Sequence, residues 1–360
     1  MKFADVLEIR NGRSQKEVEN PSGQYPIYGS GGIMGYADDY LCEAETVIIG
    51  RKGSINNPIY VTTPFWNVDT AFGLVANKAL LIPKYLYYFC LSFDFEKLNT
   101  TVTIPSLTKA NLLQVDIPIP DIGQQKEIAH RLDIVFELID SYREAMSSLD
   151  QLVKSRFIEM FGVFPANPNG WPTGTIRDIV SEVRYGTSLP AVDGGAYPYL
   201  RMNNITYGGE LDLTDTKRID VPAEDLPKCT VRRGDVLFNR TNSRELVGKT
   251  CVYNRDEMMI LAGFVVRVRV NELVLPEFLS AFMNTDASKQ MLLGMCKTAI
   301  GQANINAQEL QNVAIYIPPI DLQKEFVAFK AQTDKSKVEI QNALNELEIL
   351  KKSLMQQYFG

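Results

Sequence analysis

The chain has 360 residues, room for two ordinary domains, with 45% hydrophobic and 22% charged side chains. Its formal net charge of −6 does not advertise a nucleic-acid binder, and no apolar run approaches the roughly 20 residues of a membrane span. Five scattered cysteines without a Cys-x-x-Cys spacing, and the single histidine His130 on a helix, argue against a disulfide frame, a zinc site and His-dependent catalysis. The start, Met1-Lys2-Phe3-Ala4-Asp5, lacks the apolar core of a signal peptide, so the expected compartment is the reducing cytoplasm.

In residues 1–120, short β-branched and aromatic runs at 46–50 and 59–62 lie between Gly, Asn and Pro turns and read as strands; 80–97 reads as a helix. Residues 121–162 form a long charged helix. Its apolar seam, Ile128, Leu132, Val135, Ile139, Tyr142, Met146, Leu149 and Val153, alternates spacings of four and three, the pattern of a coiled-coil face. A linker follows at Asn167-Pro168-Asn169-Gly170-Trp171-Pro172. Residues 163–318 repeat the mixture, with strands at 235–238 and 263–270 and a helix at 276–293. Residues 319–360 form a second long helix, apolar toward its end through Ile340, Leu344, Leu347, Leu350 and Leu354. Its first half sets Lys330, Thr333 and Lys337 where the first helix has Leu132, Val135 and Ile139, so that half must meet something polar or stand exposed. The class is α+β.

The chain is a duplication. Ile117-Pro118-Ile119-Pro120-Asp121-Ile122-Gly123-Gln124-Gln125-Lys126-Glu127 returns as Ile315-Tyr316-Ile317-Pro318-Pro319-Ile320-Asp321-Leu322-Gln323-Lys324-Glu325. Each copy runs into a long helix ending in Phe-Gly, at Phe161-Gly162 and Phe359-Gly360, and the two stretches share 14 identities in 46. Weaker parallels extend into the globular parts, where Tyr25-Pro26-Ile27-Tyr28 matches Tyr197-Pro198-Tyr199-Leu200 and Gly50-Arg51 matches Asn239-Arg240. Two copies flanking two domains favour an intramolecular antiparallel pair of helices, with recruitment of another subunit by a second seam as the alternative.

Catalytic motifs fail. Asn57-Pro58-Ile59-Tyr60 has the wrong third residue for an amino-methyltransferase loop, and no glycine-rich strand–turn–helix accompanies it. Gly248-Lys249-Thr250 looks like the end of a phosphate loop, but Ser243 stands where the first glycine belongs. The 228–255 segment differs: it carries seven Lys or Arg against two acids, interleaved with a polar loop leaving a strand. Asn239, Arg240, Thr241, Asn242, Ser243, Arg244 and Lys249 are therefore candidates for DNA contact, since Arg matches guanine, Asn matches adenine, and Ser or Thr holds phosphate. The corresponding places of the first half are Arg51, Lys52 and Ser54, preceded by Tyr28, Ser30 and Gly31. Arg201 and Asn203 complete the set in the second half. Polar turns at Thr103-Ile104-Pro105-Ser106-Leu107 and at 301–306 precede each repeat, the second offering Gln302 and Asn304 either as base readers or merely as turn residues.

Globular domain, proline–glutamine turn and long helix, all repeated once, together with Tyr28-Gly29-Ser30-Gly31-Gly32, Ile49-Gly50-Arg51-Lys52-Gly53-Ser54 and Gly234-Asp235-Val236-Leu237-Phe238-Asn239-Arg240, resemble the specificity subunit of type I restriction-modification systems. The resemblance covers essentially the whole chain. It departs at Leu322-Gln323, where the first copy has paired glutamines, and in the weakened seam of the second helix.

The resemblance implies two α+β target-recognition domains in a pseudo-two-fold arrangement, separated by two long antiparallel helices forming an intramolecular coiled coil. The domains would be 1–120 and 163–318, and the spacer helices 121–162 and 319–360. It implies a non-catalytic reader of a bipartite double-stranded DNA target in a bacterial or archaeal cytoplasm, with no membrane role. Two methyltransferase (modification) subunits would bring S-adenosylmethionine, and restriction/translocase subunits would bring ATP and Mg. Those partners would also add positive surface, which answers the objection from net charge. A single-chain methyltransferase using residues 57–60, a coiled-coil adaptor without a DNA role, and a reader whose partners modify but do not cut remain alternatives.

Overall fold

The computed structural model describes residues 1–99, 105–299 and 302–360, with backbone alone at 297–299 and 302. In chain order the first globular part contains α1 (Phe3–Val6), β1 (Leu7–Asn11), β2 (Tyr25–Gly29), β3 (Gly32–Ala37), β4 (Thr46–Gly50), β5 (Ile59–Val61), β6 (Trp66–Asn67), β7 (Ala71–Ala76), α2 (Pro83–Ser92) and α3 (Lys109–Leu112). The long helix α4 (Ile122–Phe161) follows. The second part contains β8 (Thr173–Thr175), β9 (Val180–Tyr185), β10 (Tyr197–Leu200), β11 (Lys217–Ile219), α5 (Leu226–Cys229), β12 (Thr230–Val231), β13 (Val236–Asn239) and β14 (Thr241–Asn242). It continues through β15 (Thr250–Val252), β16 (Met259–Leu261), β17 (Val265–Val270), α6 (Pro276–Met283), α7 (Asp286–Met295), β18 (Lys297–Ala299), β19 (Gln302–Asn304), α8 (Ala307–Gln311) and β20 (Ala314–Tyr316). The second long helix, α9 (Ile320–Phe359), ends the chain.

Two compact units result. Unit 1 is 1–144 with 341–360, and unit 2 is 145–340, so each unit takes one globular part and a portion of both long helices. The duplication extends to topology. Unit 1 has a sheet ordered β1-β7-β4-β5, and unit 2 has the same sheet as β9-β17-β13-β15. A second sheet, β3-β2-β6, recurs as β11-β10-β16 with β12 added beyond β16; β2 is parallel to β6 and β10 is parallel to β16. Central strand β4 is buried at all five residues and β13 at all four, the polar Thr46 and Asn239 included.

Two expected helices are interrupted. In 80–97, α2 stops at Ser92 and Asp94 caps a separate 3-10 turn by accepting from the Glu96 amide. In 276–293, the break falls at Asn284, whose side chain donates to the Thr250 and Ser280 carbonyls, and Thr285 then caps α7 by accepting from the Ser288 amide.

The repeated glutamine is the joint between globular part and helix. In unit 1 Gln125 is fully buried; its Oε1 accepts from the Ile82 amide, and its Nε2 donates to the Leu80 and Pro120 carbonyls, each at 2.9 Å. In unit 2 Gln323 repeats the set with the Leu275 amide at 2.8 Å and the Leu273 and Pro318 carbonyls at 3.0 and 2.9 Å. A side-chain amide has one acceptor and two donors, and here every one is used. The Leu322 departure falls opposite Gln124, which is exposed and bonds only within the turn. The Phe-Gly ends recur for a related reason. Phe359 packs on Tyr85 at 5.2 Å in unit 1, and Phe161 on the matched Phe278 at 5.0 Å in unit 2.

The helices run antiparallel within each unit. In unit 1 Leu132 packs among Leu354, Met355 and Phe359, and Arg143 pairs with Glu348 at 2.8 Å. In unit 2 Phe157 meets Phe326 at 5.3 Å, and Arg156 pairs with Glu325 at 2.9 Å. Of the seam residues, Leu132, Val135, Ile139 and Leu344 are buried; Ile128, Tyr142, Met146, Leu149, Val153, Ile340, Leu347 and Leu354 are half-buried. The polar half of α9 finds a polar partner. Lys337 is buried between Asp150 of α4 and Glu210 of a loop 127 residues away. Thr333 turns its hydroxyl onto the Phe329 carbonyl, and Lys330 pairs with Asp334.

Candidate nucleic-acid interface

In both units the candidate residues gather where the central strand leaves its sheet. In unit 1 the Arg51 amide donates to the Thr70 carbonyl at 2.7 Å, and the Arg51 carbonyl accepts from the Leu107 amide at 2.9 Å. In unit 2 the Arg240 amide donates to the Phe264 carbonyl at 3.0 Å, and its carbonyl accepts from the Ile305 amide at 2.9 Å. The next residue also repeats: Lys52 bridges Ser106 as Thr241 pairs with Asn304. An arginine is thus presented twice by the same backbone frame.

Around Arg51, the Lys52 and Ser54 side chains are exposed. Gly50 brings the Ser30 loop alongside: a Cβ added there would lie 3.0 Å from the Ser30 Cβ and 2.3 Å from the Ser54 carbonyl oxygen, so only glycine allows this approach. Gly31 is exposed at the hairpin tip. Tyr28 sits deeper, edge-on to Phe65 at 5.5 Å, and burial, then the neighbouring Tyr36, pushes its phenol above the usual range.

Around Arg240, the guanidinium lies 4.9 Å from the Tyr185 ring and donates to the Gly263 carbonyl at 3.4 Å, which orients its plane. Arg201 is held by Asp215, whose carboxylate and carbonyl oxygens accept from it at 2.9 and 3.0 Å. Arg201, the exposed Asn203 and Arg240 line one cavity. Thr241 donates its hydroxyl to the Asn304 side-chain oxygen at 2.9 Å, Asn242 accepts from the Ser243 amide, and Arg244 is exposed.

Two candidates face inward. Asn239 is fully buried at the end of β13, and its side-chain oxygen accepts from the Thr241 amide. Lys249 is buried and donates to the Met202 carbonyl at 3.0 Å and to the Ile205 carbonyl. Its ammonium ties β15 to the 202–205 turn, and burial lowers its pKa. Residues 103 and 104, Gly301 and the Gln302 side chain lie outside the described residues.

The basic segment is less basic in three dimensions. Lys228 pairs with Asp225 at 2.8 Å, and Arg233 holds Asp256 with two bonds of 2.7 and 2.9 Å. Those aspartates lie just outside 228–255, so a charge count over that window misses them. With Lys249 turned inward, Arg240, Arg244 and Arg255 are left as the cationic side chains of the segment that form no ion pair among the described residues.

The other motifs resolve structurally. Ile59 and Tyr60 belong to edge strand β5, and the Tyr60 ring meets Tyr87 and lies 5.0 Å from the Lys84 ammonium. Gly248 sits at φ +81° in a buried turn, where the Thr250 hydroxyl donates to its carbonyl. Among the described residues no group of three or more His, Cys, Asp or Glu is placed to hold a metal, and no helix is long and apolar enough to cross a membrane. Burial pushes the Cys42 thiol up to about 11 and Cys251 up to about 12, which removes both as nucleophiles. Sequence reading missed Tyr185 and Phe264, both beside Arg240. Gly263 and Phe264 lie in the turn before β17, not in a strand, and that turn leaves Phe264 exposed.

Comparison with known proteins gives a consistent result. The type I restriction modification DNA specificity domain matches residues 1–148 and 168–348. The EcoKI specificity subunit of Escherichia coli (strain K12) is 23% identical over 335 residues, covering 86% of this chain and 72% of the relative. The EcoBI specificity subunit of Escherichia coli is 21% identical, covering 94% and 77%. The S subunit of a type I restriction-modification system from M. genitalium shares the fold at TM-score 0.65 and 14% identity, over 100% of this chain and 95% of that one. A chain solved in work on complex assembly and conformational transition of the type I R-M system aligns at TM-score 0.58 and 18% identity, over 100% and 96%.

Proposed function

Because the chain belongs to the family of type I restriction-modification specificity subunits, we propose that it reads a bipartite double-stranded DNA target, one half-site per unit. The observation that carries this reading is the duplicated arginine frame. Arg51 and Arg240 leave their sheets at matched positions, fixed by the same pair of backbone bonds. Arg240, held against Tyr185, and Arg201 are the proposed base readers of unit 2, with Asn203, Thr241, Asn242 and Asn304 around them. Arg51, Lys52, Ser54, Ser30, Gly31 and Tyr28 are proposed for unit 1, and Ser243 and Arg244 for phosphate contact. Asn239 and Lys249 support these loops from inside.

The chain supplies no chemistry in this proposal. S-adenosylmethionine belongs to two modification subunits, and ATP and Mg to restriction subunits. Each unit offers apolar helix surface for a modification subunit: Ile134, Leu138, Ile349 and Leu350 in unit 1, Leu152, Ile158 and Val338 in unit 2, all exposed. The complex acts in a bacterial or archaeal cytoplasm.

Selection of bound sequences from randomised duplex DNA, using this chain with its modification subunits, tests the reading. Two blocks of fixed bases separated by indifferent ones are expected, with Arg51→Ala relaxing one block and Arg240→Ala the other. Relaxation of the same block by both variants would sink it.

A further inference from the structure

Unit 2 contains a cavity of about 490 Å³, walled by Arg201, Arg240, Tyr199, Leu189 and Phe264. The duplication supplies its comparison. Backbone bonds Gly12 to Ala71 and Ala71 to Val68 in unit 1 recur as Gly186 to Val265 and Val265 to Ala262 in unit 2. Asn11 therefore matches Tyr185, and Thr70 matches Phe264. The same arginine frame is bordered by two polar residues in unit 1 and by two aromatics in unit 2. Tyr185 has a structural role beneath the Arg240 guanidinium. Phe264 is 53% exposed and has no aromatic partner among the described residues.

A single exposed Phe is ordinary surface. One on the rim of a concavity beside two guanidinium groups, at the position where the matched reader has threonine, is more informative. Base edges in an intact duplex lie at the floor of a groove, and protein elements that project into it reach them. A concavity can receive only what projects from the DNA: a backbone phosphate, or a base turned out of the stack. A phosphate would need the arginines alone. Walls formed by Tyr199, Phe264 and Leu189 suit a planar π-face. Among the described residues, the Nε of each arginine is buried without a hydrogen-bond partner.

We propose that this cavity receives a nucleobase turned out of the target duplex, stacked on Phe264, with Arg240 and Arg201 at its acceptor edge. Guanine, with O6 and N7 side by side, matches a guanidinium best. The inference rests on the DNA-reading function proposed above.

The test uses this chain complexed with its modification subunits, on target duplexes carrying 2-aminopurine at or beside each position in turn. A several-fold fluorescence rise on binding is expected at one place in the half-site read by unit 2, away from the adenine to be methylated. Phe264→Ala should lose that rise and Phe264→Tyr should keep it. Sequence-specific binding with no Phe264-dependent rise anywhere overturns the proposal and leaves the DNA-reading function standing. The proposal also falls if one neutral methylphosphonate linkage removes the effect of Arg240→Ala while no base signal appears, because the cavity then seats a phosphate. A wild-type complex that binds without sequence preference overturns the underlying reading, and this inference with it.

Discussion

Replacing Gln125 by Met keeps the length and most of the volume of the side chain and deletes its amide. The Ile82 N–H and the Leu80 and Pro120 carbonyls would then lose their partner, in surroundings where Gln125 itself is fully buried. A buried polar group left unsatisfied costs about 1–3 kcal/mol. The three backbone groups are only partly buried and carbonyls tolerate under-satisfaction, so the sum falls at about 2–4 kcal/mol rather than three full penalties. Because unit 1 need not unfold with unit 2, a local probe serves best. Hydrogen exchange at the Ile82 amide should accelerate by about 10²-fold, and urea unfolding followed in unit 1 should shift by the same free energy. Gln323→Met should do likewise at the Leu275 amide, whereas Gln124→Ala, at an exposed position, should stay within about 0.5 kcal/mol. If Gln125→Met exchanged at Ile82 like the wild type, the glutamine would not be the joint between domain and helix.

Arg240→Ala should weaken discrimination at one half-site by about 1–3 kcal/mol, measured by competition between cognate and single-base variants; uniform weakening across sequences would mark a phosphate contact instead. Arg244→Ala is expected to weaken binding evenly and to reduce the slope of log affinity against log salt by about one, read from a salt titration. Lys337→Met should leave stability within about 1 kcal/mol, since Asp150 and Glu210 are both more than half exposed, but should free the 206–210 loop to limited proteolysis. Burial, and then the Lys154 charge, lowers Lys289 to about 8, while the unfolded lysine stays near its ordinary value. The unfolded chain therefore binds more protons between those values, so this group makes stability rise as pH increases through that window; Lys289→Met should flatten that limb of the pH–stability curve.

The fold was legible wherever a feature repeats. The heptad spacing in 128–153 and the matched proline–glutamine turns gave the helices, and the runs at 46–50 and 235–238 gave the two central strands, because period and burial follow from residue type. Partners across long sequence separations were not legible. Lys337 announced that α9 needs a polar neighbour, but nothing in its own helix points to Glu210, which a loop delivers from 127 residues away. Of the candidate residues, the matched positions in the two units were legible, and the direction in which each side chain points was less so. Arg51 and Arg240 could be aligned from sequence, whereas the inward turn of Asn239 and Lys249 depends on the register of β13 against β15. Local charge misled for a similar reason, since Asp225 and Asp256 fold back onto Lys228 and Arg233. Phe264 escaped because an apolar residue ahead of a β-branched run looks like strand until the turn is placed.

The proposed two-part reading should leave a record in the genome of a host that carries this chain. Sequencing the methylated bases of a genome that carries this chain with its modification subunits reads that record. One bipartite motif is expected, two short fixed blocks around a gap of constant length, with a methylated adenine in each block. A single uninterrupted motif, unchanged at both ends by variants of either unit, would mean that the duplication does not serve two-part reading.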